Sequence, residues 1–169
     1  MKRIRITFIC FCLPLISSSV SCQNTNQVIT KNGMTVKWEF KADRIHFEIS
    51  APTAGWVTIG FNTHSGTKGA YLLMGHIVND IPSVVEHYTL NPGNYKSLEA
   101  LGKSSNISDV SGKESDSTTR LTFSLPINKN SQYRKTLKKD LSYYMIMAFS
   151  QDDDFQHHSI MRTSIQVKL

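Results

Sequence analysis

Between residues 152 and 162 the chain packs Asp152-Asp153-Asp154, His157-His158 and Arg162 into one short stretch. Three carboxylates side by side suggest a hard cation, but calcium takes about six to eight oxygens and no spaced ladder of further ligands follows. A solvated, charge-rich turn is the simpler reading. Imidazoles can donate, accept or ligate a metal. Neighbouring residues of a strand point to opposite faces, so a strand beginning here leaves only one of His157 and His158 for a given ligand. His46 falls on the polar side of its segment and His87 opposite Val84 and Glu86, which places both at the surface. The sequence contains no Gly-x-Ser-x-Gly, phosphate loop, zinc-spaced histidine pair or cysteine nucleophile, so a binding protein is expected rather than an enzyme.

These groups must be held by strands. Met34, Val36, Trp38 and Phe40 alternate with Thr35, Lys37 and Glu39, and Ile45, Phe47 and Ile49 with Arg44, His46 and Glu48. Period-two patterning puts one face in a core and one in water. Val57, Ile59 and Phe61 form another buried face, where Gly55 and Gly60 permit close backbone approach or a bulge. Residues 70–78 and 143–149 are nearly all apolar, as strands covered on both sides are. Asn91-Pro92-Gly93-Asn94 is a turn, and residues 95–116 read as an excursion with one short strand. Residues 128–139 suggest at most one helical turn, and Met161 to Leu169 close the sheet. Eight or nine short strands with frequent turns predict an all-β, immunoglobulin-like antiparallel two-sheet sandwich over residues 34–169.

Lys2, Arg3 and Arg5 precede the apolar stretch from Ile6 to Val20, then Ser21-Cys22-Gln23. The stretch is too short for a comfortable membrane span and reads as a signal peptide over residues 1–21. Cys10 and Cys12 leave with it, so Cys22 stands alone at the cut, and Ser19-Val20-Ser21-Cys22 reads as a lipidation site. An exported protein, periplasmic or at the cell surface and lipid-anchored, is expected. Residues 22–33 read as a flexible tether. The formal charge of +6 includes the leader's basic residues. The remaining Lys and Arg form no stripe interleaved with aromatics, so nucleic acid is not an expected partner.

Gly55-Trp56-Val57-Thr58-Ile59-Gly60-Phe61, the strand entry Lys68-Gly69-Ala70 and the late pair His158 and Arg162 resemble, in order and spacing, the DOMON family of β-sandwich modules, which bind haem or sugars outside the cytoplasm. The resemblance spans about residues 33–169. In the haem-binding branch, such as the cytochrome module of cellobiose dehydrogenase, a methionine and a histidine hold the iron of haem b, a pair suited to electron transfer. The resemblance makes His158 the histidine. Thr67 occupies the methionine position, with Tyr71 in place of the following aspartate, so the second ligand falls to Met74, on one strand face with Ala70, Leu72 and His76, or to His64. Trp56 then lines the pocket or fills the core. Trp56, Leu72 and Met147 are expected to keep water from the ring.

The expected function is therefore an extracytoplasmic ligand-binding module, with haem and a redox partner protein first. The alternatives are a sugar or small molecule stacked on Trp56 or Tyr71, and a surface scaffold that recruits a protein.

Overall fold

A computed structural model describes residues 27–127 and 131–169. The leader and Cys22 lie outside these. Eleven strands are present among the described residues: β1 (Gln27–Lys31), β2 (Met34–Lys41), β3 (Arg44–Ala51), β4 (Val57–Asn62), β5 (Tyr71–Val78), β6 (Ile81–Asn91), β7 (Asn94–Ser97), β8 (Ser108–Ser115), β9 (Thr118–Pro126), β10 (Ser142–Phe149) and β11 (Met161–Lys168). They form a five-stranded sheet, order β1-β2-β3-β9-β8, and a six-stranded sheet, order β11-β10-β4-β5-β6-β7. Every strand pair is antiparallel. The two sheets make the expected sandwich.

The strand count exceeds the expectation at two places. Residues 27–31, read as tether, pair as β1 with β2 across Asn32-Gly33, both at positive φ (49° and 82°). Asn-Gly between alternating segments is a strong hairpin signal, and here it turns the chain rather than ending a tether. Residues 95–116 carry most of β7 and all of the eight-residue β8. No helical turn forms over residues 131–139, where an isolated bridge links Ser131 and Arg134.

Alternation sets what packs between the sheets. In β2, β3 and β9 the inward residues Trp38, Phe47 and Phe123 lie in register across the strands. Phe47 contacts Phe123 at 5.5 Å and, across the sandwich, Phe61 at 5.7 Å between ring centroids. Burying such side chains stabilises the fold by roughly 1.5–3 kcal/mol each. Met147, expected at a ligand, is buried in this inner core instead, because it shares strand parity with Met145 and Phe149. Tyr71 is likewise buried inward, so neither it nor Met147 is available to a ligand on the opposite face.

Among the described residues, one charged side chain is buried inside. Glu86 on β6 takes a two-pronged ion pair from Arg134 (Nε to Oε1 2.6 Å, Nη2 to Oε2 2.9 Å). The Tyr71 hydroxyl (2.5 Å) and the Asn106 amide (2.7 Å) also donate to it. Burial acts to raise the Glu86 carboxyl, but these donors outweigh it and hold the group below the usual carboxylate range. Arg134 thus ties an irregular segment to the six-stranded sheet. Removing one partner of a buried pair strands the other charge. Arg134→Met is expected to destabilise the protein by about 3–5 kcal/mol in urea unfolding, a loss that Glu86→Gln in the same chain reduces.

Candidate functional site

β4, β5 and β10 are largely buried on both faces, so the outer face of the six-stranded sheet is covered too. Register defines that face. Thr58 lies beside Met74 and Ala148, and Gly60 beside Leu72 and Ile146. Trp56 continues the row toward His76. Trp56, Ala70, Leu72, Met74, Ile146 and Ala148 form a second apolar cluster, with Tyr95 and Phe155 packed against it. Trp56 therefore belongs to the outer face and not to the inter-sheet core. The signal was its strand parity, opposite to Val57 and Ile59.

Over this floor lies a cleft of about 140 Å³ whose lining includes Trp56, Thr67, Met74, His157 and His158. A second hollow of about 340 Å³ adjoins it at Thr67, Ile146 and Arg162. Met74 is 3% exposed, in the floor. His158 is exposed, at the rim. His157 and His158 precede β11 in an irregular segment, and both line the cleft; the expected strand alternation does not separate them. Thr67 is half-buried, its carbonyl accepting from the Ala70 amide at 2.9 Å. His64 is exposed, its Nδ1 donating to the Ser65 carbonyl at 2.9 Å, and does not line the cleft.

Two devices missed in the sequence position these groups. Buried Asn62 donates from Nδ2 to the Gly66 (3.1 Å) and Lys68 (2.9 Å) carbonyls, which shapes the loop bearing Thr67. Ser150, fully buried, donates from its hydroxyl to the His158 carbonyl at 3.0 Å and from its amide to Trp56 O at 3.0 Å. Gly55 serves the same junction, since a Cβ there would sit 2.5 Å from the Asp152 nitrogen. At Gly60 a Cβ would collide with Leu72 Cδ2, so glycine lets Leu72 lie flat in the floor.

The segment after Ser150 crosses the sheet through Phe155, which stacks on His76 (4.3 Å, 25°) and meets His87 edge-on (5.6 Å, 81°). His87, expected at the surface, is 5% exposed, with Nδ1 donating to the Val85 carbonyl at 3.2 Å. Its outward position on β6 is covered by Phe155 and Tyr95. The aspartates form turns, Asp152 Oδ1 accepting from the Asp154 amide at 2.8 Å and Asp154 Oδ1 from that of Gln156 at 2.9 Å. Among the described residues no group of three His, Cys, Asp or Glu could hold a metal ion. Another hollow, about 560 Å³ beside β6, is lined by the buried Glu86, already engaged by Arg134.

Burial pushes the His87 imidazole below its ordinary value. The folded protein thus resists a proton that the unfolded chain accepts near pH 6.5, and stability present above that pH is lost as pH falls below it. The thermal midpoint is expected to drop from pH 7 to pH 5, with a shallower slope in His87→Phe. Gly60→Val is expected to lift Leu72 into the cleft at a cost of about 1–3 kcal/mol in urea unfolding, while retaining the fold by circular dichroism.

Comparison with solved structures places this architecture beside the cytochrome b domain of pyranose dehydrogenase from Coprinopsis cinerea, with TM-score 0.62, 10% identity, and coverage of 85% of this chain and 81% of that chain. The cytochrome domain of Myriococcum thermophilum cellobiose dehydrogenase matches at TM-score 0.63 and 9% identity, with the same coverages. At such identities the likeness is one of fold. The DOMON domain family matches residues 30–150, well over half of the sequence, and the chain belongs to that family.

Proposed function

We propose that this protein is an exported, lipid-anchored DOMON module that holds b-type haem in the outer-face cleft and passes electrons to a redox partner protein. The observation that carries this reading is that Met74 and His158, from β5 and from the segment before β11, line one cleft. The donor set fits the group: a thioether in an apolar floor and an imidazole at the rim are the axial ligands of electron-transfer haems. When bound, haem would supply a one-electron couple of raised potential. Leu72, Ile146 and Trp56 keep water from the floor, Ser150 fixes the backbone at His158, and Arg162 at the lip offers a cation to a carboxylate. Thr67 lines the cleft, but its hydroxyl is a poor ligand for haem iron. That both solved neighbours are cytochrome domains is consistent with the reading. Cleavage before Cys22 and acylation there would put the module at the envelope surface.

A non-haem ligand, a sugar or another oxygen-rich small molecule, has one observation in its favour. Trp56 Nε1, Thr58 Oγ1 and Thr89 Oγ1 are buried without hydrogen-bond partners, and all three residues line the cleft. Such groups bind acceptor or donor atoms of a ligand well.

An absorbance titration with haemin separates the two. The haem reading expects sharp reduced bands, affinity weakened at least about tenfold (~1.4 kcal/mol) in His158→Ala, and a lowered reduction potential in Met74→Leu. A spectrum that stays that of free haemin rejects it and turns the question to a glycan and small-molecule screen.

A further inference from the structure

We infer that residues 150–159 are a lid over the outer-face cleft, latched by Phe155, which must lift for a ligand to enter. This rests on the reading of that cleft as the ligand site. The part of the cleft lined by Met74 and His158, about 140 Å³, is smaller than the roughly 300–1,000 Å³ of pockets that enclose small molecules, and the adjoining hollow of about 340 Å³ is lined by neither residue.

The contacts of the segment divide into hinges and a latch. At its ends backbone bonds hold it to strands: Ser150 N to Trp56 O (3.0 Å), Trp56 N to Asp152 O (3.0 Å) and Ile160 N to Phe149 O (3.0 Å). The middle is held to the sheet by side chains alone. Phe155 rests on His76 and His87, the Tyr95 hydroxyl donates to the Phe155 carbonyl, and His76 Nδ1 donates to the Asp153 carbonyl at 2.8 Å. Releasing these few contacts frees residues 153–157 and leaves both hinges intact.

The closed position also carries a cost. Trp56 Nε1, Thr58 Oγ1 and Thr89 Oγ1 on the cleft side, and Asp153 Oδ1 in the segment itself, are sealed from water with no partner. Buried polar groups left unpaired are unfavourable, and lifting the segment returns them to water or to a ligand. Segments of low local stability are those that open in binding proteins. The same opening widens access to Met74 in the floor while Ser150 holds the backbone at His158.

Hydrogen exchange on the ligand-free protein tests the lid without any ligand. In Phe155→Ala the amides of residues 153–157 are expected to exchange at least about tenfold faster, with β2 and β3 unchanged. Tyr95→Phe, which removes only one hydroxyl, is expected to give a smaller acceleration in the same amides. Unaltered exchange there in Tyr95→Phe overturns the latch even if Phe155→Ala loosens the whole domain. Haemin mixing then tests gating: faster association in Phe155→Ala supports it, and equal rates in all variants overturn it. Should no variant bind haemin while the exchange responds as expected, the haem reading falls and the lid stands.

Discussion

The central strands of the six-stranded sheet, β4, β5 and β10, are largely buried on both faces, and most of this molecule's functional architecture follows from that. One face is satisfied by the five-stranded sheet, as in any sandwich. The other, with Leu72, Met74, Ile146 and Ala148, has no second sheet to meet and is covered by loops. Loops cover less completely than sheets because their backbone must also satisfy its own polar groups. A floor of buried apolar side chains under an incomplete roof is a cleft, and its walls are the segments around Thr67, Gly93 and residues 155–159.

The two faces place different demands on the chain. Between the sheets, aromatic and aliphatic residues interdigitate, and the buried charge of Glu86 is met by Arg134, Tyr71 and the Asn106 amide. Its net effect on stability is smaller than its contacts suggest, since desolvation offsets much of the attraction. Its geometric effect is larger, because it fixes residues 104–107 and 131–134 against β6. On the outer face polar atoms are left without partners. Between the sheets Trp38 Nε1 is also without a partner, but three of the five such buried atoms among the described residues, on Trp56, Thr58 and Thr89, lie around the outer-face cleft.

Sharing a sandwich with cytochrome domains at low identity is physically unsurprising. The sheets need only period-two alternation and turns at suitable intervals, which many sequences supply. Binding of a ligand depends instead on a few individual positions, such as Thr67 in the loop before β5. Fold and function are therefore specified by different residues here, and the second does not follow from the first.

The sequence alone determined what depends on near neighbours. Alternation marked β2, β3 and β9, unbroken apolar runs marked β5 and β10, and Gly55 and Gly60 stood where backbones and side chains crowd. The opposite parity of Trp56 and Val57 already held the answer to which face each occupies. Tertiary structure decided what depends on closure between distant segments. It buried His87 under Phe155, paired Glu86 with Arg134, turned Asn32-Gly33 into a hairpin, and brought His158 rather than His64 to the cleft with Met74. Periodicity tells which side of a strand a residue faces, but what lies on that side is set by contacts between residues far apart in the chain.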